Sequence, residues 1–163
     1  MIVFLDFDGV THGTSGATFS EGCLSLLNAV LTEHSARVVI ISSWRDEMPL
    51  QSLVSELRQV GRHVIGVAPE EPAYTRTPRE LVVRQWLAEN GYTGPWLAID
   101  DNPRWYGDLA PRVVATDPRL GFTGNDAERF RELVASGVAR ETVGEEEGVL
   151  GSGNEQAGAG ESD

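Results

Sequence analysis

Hydrophobic and polar positions along most of the chain switch between two periods. Residues 2–5 (IVFL) are a short apolar run closed by Asp6, as expected of a strand buried on both faces. Residues 21–33 set Cys23, Leu24, Leu27, Val30 and Leu31 at helical spacing, and residues 37–41 (RVVII) read as a second strand. A helix is predicted over 49–60, with Leu50, Leu53, Val54 and Leu57 on one face, and a third strand over 63–67. Residues 78–90 form the next predicted helix. Pro78 suits its first turn, Thr77 is its expected N-cap, and Gly91 stops it. A fourth strand over 96–99, a short fifth over 112–115 and a last helix over 125–135 complete the pattern. Strands alternating with helices predict an α/β domain: a central parallel sheet of about five strands with helices on both faces. Ligands in such sheets bind beyond the carboxyl ends of the strands, so the residues just after each strand are the candidates for chemistry.

Composition narrows the classes. The chain has 163 residues, 40% of them hydrophobic, which is ordinary for one soluble domain. Residues 144–163 hold six glycines, six acids and no base, and are expected to be a disordered acidic tail behind a folded domain over 1–143. That tail carries half of the formal net charge of −12, so the domain itself is only mildly acidic. All 13 basic residues are arginine. The absence of lysine excludes a lysine P-loop, Schiff-base chemistry and pyridoxal chemistry, and any phosphate-binding cation has to be an arginine. Cys23 is the single cysteine, which excludes an intrachain disulfide and a thiolate zinc cluster. No apolar stretch is long enough to span a membrane, and the amino terminus lacks the basic segment of a signal peptide, so a cytoplasmic protein is expected.

The strand ends converge in chemistry. After the first strand come Asp6, Phe7, Asp8, Gly9, Val10 and Thr11. After the second come Ser42, Ser43, Trp44 and Arg45, and after the fourth Asp100, Asp101 and Asn102. Four carboxylates brought to one edge would repel one another without a cation, and all-oxygen ligation favours Mg²⁺. One carboxylate can then serve as nucleophile and a second can move protons, while the metal neutralises a phosphoryl group.

These residues make the sequence resemble the haloacid dehalogenase (HAD) superfamily of aspartyl-phosphate phosphatases. VFLDFDGVT matches the family's first motif, VVIISS its second and WLAIDD its fourth, and the resemblance covers roughly residues 1–135. The run of ISSWR, WLAIDDNP and TDPRLGFT is similar to small bacterial and phage members, some of them related to phosphatase domains of RNA-repair proteins. The resemblance implies a HAD-like, Rossmann-like three-layer sandwich. It implies Asp6 as nucleophile and Asp8 as the acid that protonates the leaving oxygen and then the base that activates water. Gly9 permits the turn between strand and loop. Mg²⁺ would be held by Asp6, the main-chain carbonyl of Asp8 and Asp100, with Asp101 behind or through water. Ser42 would bind a phosphoryl oxygen, with Ser43 the alternative.

The third motif is a lone Lys or Arg. Among Arg76, Arg79 and Arg84, Arg79 is the expected occupant, near the helix start and 21 residues before Asp100. Arg76 is next, from the loop. Arginine can chelate a phosphate with two donors, so the role does not need a lysine. Arg45 and Arg76 are further candidates for substrate contact. Trp86 and Trp96 are expected in the core. Trp44 and Trp105, just past strand ends, either stack on a base or pack beneath a loop, and His12 either contacts substrate or is a loop histidine. Family members often carry a cap domain that closes over small substrates. Here the two insertion points, residues 11–20 and 68–77, are about ten residues each, too short for a cap. An open site suits phosphate on a large molecule. The expected activity is therefore Mg²⁺-dependent phosphomonoester hydrolysis, on a substrate such as a polynucleotide 3′-phosphate. Alternatives are a nucleotide or phosphoprotein phosphatase, or a non-catalytic phospho-binding domain. The sequence does not define an oligomeric state.

Overall fold

A computed structural model describes residues 1–14 and 19–140, and the acidic tail expected over 144–163 lies outside them. Five parallel strands form one sheet in the order β3-β2-β1-β4-β5. They are β1 (Ile2–Leu5), β2 (Arg37–Ile40), β3 (Val64–Val67), β4 (Trp96–Asp100) and β5 (Val113–Ala115). Four α-helices accompany them: α1 (Glu21–Glu33), α2 (Leu50–Glu56), α3 (Pro78–Glu89) and α4 (Gly124–Ser136). The Rossmann-like α/β reading of the sequence holds.

Side chains alternate across a strand, so one strand feeds two cores. Val3 and Leu5 of β1 face a cluster with Leu24, Leu27 and Leu31 of α1 and Phe130 of α4. Ile2 and Phe4 face the other way, toward Val82, Val83 and Trp86 of α3, with Trp96 and Tyr106. Phe4 meets Trp86 and Trp96 edge-on, at 5.5 and 5.6 Å between ring centroids, which puts both tryptophans in the core as expected. β1 is central, and its pairing runs to Ile40 on one side and Ile99 on the other.

Three elements differ from the sequence reading. The helix predicted over 49–60 ends at Glu56, and a 3-10 turn follows over Arg58–His63. Arg58 takes a positive φ of 50°, and Gly61 approaches α2 so closely that a Cβ would stand 2.3 Å from the Val54 carbonyl oxygen. Helical periodicity is blind to such a backbone contact. Thr77 occupies the N-cap position of α3 without a side-chain capping bond. The segment expected as loop between β4 and β5 is 3-10 over Pro103–Arg112, broken at Gly107. Ten residues, 68–77, join β3 to α3, a length with no room for a domain. Among the described residues no helix is long and apolar enough to cross a membrane.

Candidate active site

The sheet delivers its chemistry one residue past the ladders. Asp6 N–H donates to the Ile99 carbonyl (3.0 Å) and Ile41 N–H to that of Leu5 (3.0 Å), so β1, β2 and β4 end together. Asp6, Asp100 and Asp101 each offer an oxygen, all within 4.8 Å of one another. Asp6 and Asp100 are buried and Asp101 is half-buried.

Gly9 makes the turn after β1 possible. Its φ is +75°, and an added Cβ would stand 2.6 Å from Asp101 Oδ2. Both the conformation and the space therefore require glycine. Thr116 Oγ1 donates to the Gly9 carbonyl at 2.6 Å, which fixes the turn from β5. The same turn folds His12 back over Asp8, with Val10 and Thr11 N–H both donating to the Phe7 carbonyl. Asp8 is the exposed carboxylate of the group, its side chain 61% accessible. Trp44 Nε1–H donates to its Oδ2 at 3.1 Å, and His12 Nε2 lies 3.2 Å from its Oδ1.

Arg79 enters the carboxylate group from the first turn of α3. Its guanidinium is buried and lies 3.5 Å from Asp6 Oδ1, 3.6 Å from Asp100 Oδ2 and 2.7 Å from Glu71 Oε1. It also donates to the Ile41 carbonyl, and it sits 5.6 Å from the ring centroid of Trp105. Its buried Nε is the atom 3.6 Å from Asp100 Oδ2, beyond normal hydrogen-bond length. The other two arginines lie elsewhere. Arg76 is exposed in the loop, and Arg84 pairs with Glu80 at 2.9 Å along the helix.

Ser42 is fully buried, and its Oγ accepts from Trp44 N–H at 3.3 Å, whereas Ser43 is exposed. Arg45 turns away from the carboxylates. Its guanidinium donates to the carbonyls of Ile41, Ser42, Ala68 and Pro69, between 2.6 and 3.2 Å, and so staples the end of β2 to that of β3. Four of its five N–H donors are thereby used. Trp44 packs edge-on against Phe7 and Phe19, the packing alternative rather than the base-stacking one. Trp105 is 40% exposed.

Two residues of the site carried no sequence signal. Tyr106 is buried and donates to Asp100 Oδ2 at 2.8 Å, while Asn102 N–H donates to Oδ1 at 2.9 Å. Only the 3-10 fold of residues 103–112, absent from the periodicity, brings Tyr106 back under Asp100. Glu71 reaches Arg79 from an irregular loop with no pattern to register it. The hold of Trp44 and His12 on Asp8 was equally invisible, because sequence alone does not show which way a ring points.

The electrostatics call for more positive charge than the protein supplies. Burial, with Asp100 as nearest like charge, pushes the Asp6 carboxyl up to about 8, against the pull of Arg79. Burial pushes Asp100 up to about 6, although Arg79, Asn102 N–H and the Tyr106 hydroxyl all favour its anion. Burial alone would lower the Arg79 guanidinium, but Asp6, Tyr106, Asp100 and Glu71 together hold it above its ordinary value. The donor set fits a hard divalent cation. Oxygens on opposite sides of Mg²⁺ are ~4.2 Å apart, and the three carboxylates, within 4.8 Å, are close to that span already.

A stability prediction follows from linkage. The folded chain keeps protons on Asp6 and Asp100 that the unfolded chain has lost above its ordinary carboxyl pKa of 3.8. Without a divalent cation, stability therefore falls as pH rises from the unfolded value toward 6 and then 8. A divalent cation held there would compete with those protons, so Mg²⁺ should raise the melting temperature by several degrees at about pH 8 and little at about pH 5. Thermal melts with Mg²⁺ and with chelator check this, and an equal shift at both pH values would contradict it.

Comparison with known proteins agrees with this geometry. A family profile described as "HAD domain in Swiss Army Knife RNA repair proteins" matches residues 2–127. No curated protein matches the chain significantly. One solved crystal structure aligns at a TM-score of 0.44 and 16% identity, covering 84% of this chain and 82% of its own. The profile takes in β1 through β5 with every strand-end residue described above, and the chain belongs to this family of HAD domains.

Proposed function

We propose that the protein is a Mg²⁺-dependent phosphomonoester hydrolase working through an aspartyl-phosphate on Asp6. One observation carries the reading. A buried carboxylate at the end of the central strand lies 3.5 Å from a buried arginine, beside two further aspartates. A nucleophile, an anion-binding donor and a cation-binding set thus share one edge.

Asp6 Oδ attacks phosphorus while the bond from phosphorus to the leaving oxygen breaks, and Asp8 gives that oxygen a proton. Asp8 then takes a proton from water as the water attacks phosphorus. The bond to Asp6 breaks, inorganic phosphate leaves and both carboxyls return to their starting state. Arg79 and Ser42 hold phosphoryl oxygens, and Asp6, the Asp8 carbonyl, Asp100 and Asp101 hold the Mg²⁺. The chemistry that Mg²⁺ supplies there is neutralisation of carboxylate and phosphoryl charge. Gly9 shapes the loop between the two catalytic carboxylates.

The substrate we infer is a phosphorylated nucleic-acid end. The family's association with RNA repair supports this, as does the short connection over residues 68–77, which leaves the phosphate approachable by a large molecule. Exposed Arg76 and Trp105 are the groups offered to the rest of such a chain. The test is phosphate release from a 3′-phosphorylated oligonucleotide, 5′-nucleotides and a phosphopeptide, each with Mg²⁺ and with chelator. The oligonucleotide should be hydrolysed at least about ten-fold faster, with a rate that falls as salt rises. Preference for the nucleotide or the phosphopeptide would reassign the substrate. Binding without turnover of any of them would contradict hydrolysis.

A further inference from the structure

We infer that Trp44 and His12 are positioning residues that clamp the Asp8 carboxylate, each holding one of its oxygens. The inference rests on the acid–base role proposed for Asp8. An acid must present its proton along one line to the leaving oxygen, and a freely rotating carboxylate does so only part of the time. Asp6 and Asp100 are immobilised by burial. Asp8 has no such help, because its side chain is 61% accessible, and the ten-residue connection over 68–77 is too short to fold as a domain over it. What restrains it is a pair of side-chain contacts. Trp44 Nε1–H reaches Oδ2 at 3.1 Å, and the His12 Nε2 edge faces Oδ1 at 3.2 Å.

Both side chains are themselves fixed. His12 is 12% accessible on its side chain, and its Nδ1 lies 3.0 Å from Thr11 Oγ1, which is anchored on the Phe7 carbonyl. The Trp44 ring is wedged among Phe7, Phe19 and His12, with centroids 5.9, 5.3 and 6.0 Å away. Its backbone N–H donates to Ser42 Oγ, a proposed phosphate ligand. The residue following the second-motif serines thus ties the phosphate-binding strand end to the acid of the first. With both oxygens engaged, rotation of the Asp8 carboxyl is restricted.

Leaving-group chemistry separates positioning from packing. A p-nitrophenolate departs without a proton, whereas an alkoxide needs one. Trp44→Phe keeps an aromatic ring in the same packing site and removes the donor. His12→Leu removes the polar ring edge on the other side, and His12→Gln keeps a polar group at similar reach. For each variant, kcat/KM is measured with β-glycerophosphate, with a 3′-phosphorylated oligonucleotide and with p-nitrophenyl phosphate. The alkyl-to-aryl ratio should fall about ten-fold in Trp44→Phe and in His12→Leu, further in the double variant, and within about two-fold of wild type in His12→Gln. Asp8→Asn sets the lower limit of the ratio.

A readout independent of turnover accompanies this. The Trp44 indole N–H resonance, assigned by its loss in Trp44→Phe, should move in Asp8→Asn while the other three tryptophan signals stay in place. An unmoved Trp44 signal, or losses equal on alkyl and aryl esters when Asp8→Asn itself discriminates, would overturn the clamp and leave the hydrolase reading standing. An Asp8→Asn variant that does not discriminate would remove the acid role of Asp8 and the clamp with it.

Discussion

Replacing Asp6 by Asn should lower phosphatase turnover by a factor on the order of 10⁴ without costing stability. The two halves of this expectation come from the same environment. An amide of nearly the same shape cannot form the acyl phosphate, so catalysis through Asp6 is lost. The fold loses little, because Asp6 is a strained acid. Its carboxyl is pushed up to about 8 by burial and by Asp100, and its contact with Arg79 is long, at 3.5 Å. In chelator the variant should melt at or above the wild-type temperature once pH exceeds the ordinary carboxyl value, since nothing remains at this position to be ionised. In Mg²⁺ it should gain less than wild type, having lost one of the three clustered carboxylates. Initial rates and thermal melts on the same preparations check both halves. Turnover within ten-fold of wild type would contradict the assignment of the nucleophile.

The second large effect is expected at Arg79. Arg79→Ala should raise the KM for phosphomonoesters by roughly two orders of magnitude and lower kcat as well, because a guanidinium is worth two charge-assisted donors to a phosphoryl group. The same substitution should tighten Mg²⁺ binding. Arg79 lies beside Asp6, Asp100 and Glu71, and removing its charge leaves the carboxylates more negative. Opposite signs for phosphate and metal distinguish a lost site residue from a damaged fold, which would weaken both. Breaking a buried ion pair costs roughly 3–5 kcal/mol, so Arg79→Lys serves as the companion variant that keeps the charge, with an intermediate KM. Arg76→Ala, at an exposed loop position, should leave p-nitrophenyl phosphate hydrolysis within about two-fold. Kinetics with p-nitrophenyl phosphate and calorimetric Mg²⁺ titrations provide the comparison.

The residues legible in the sequence are those whose neighbours are local. β1 and α1 have the bounds that their apolar spacing predicts, and the other strands differ by a residue. Each motif acid lies at a strand end because an apolar run has to stop where the chain leaves the core. What was not legible depends on chain reversals. The Arg58 and Gly61 backbone shortens α2 through a contact with Val54 that has no periodic trace. Tyr106 reaches Asp100 only through the 3-10 segment after Pro103. Arg45 follows the active-site strand by three residues and looked like a substrate contact, yet its donors are spent on backbone carbonyls. Arginines resolve the same way in both directions. With no lysine in the sequence, any cationic phosphate ligand has to be an arginine, and burial of Arg79 against two aspartates makes it the candidate.

Trapping a phosphorylated Asp6 distinguishes covalent catalysis from every other route to hydrolysis. Enzyme mixed with excess substrate in Mg²⁺ is quenched in acid within a turnover, where acyl phosphates survive, and its peptides are weighed. One added phosphoryl group is expected on the peptide containing Asp6, absent in Asp6→Asn and lost on brief treatment with hydroxylamine. Active enzyme that never carries phosphate, or carries it on Ser42 or His12 instead, would contradict covalent catalysis through Asp6.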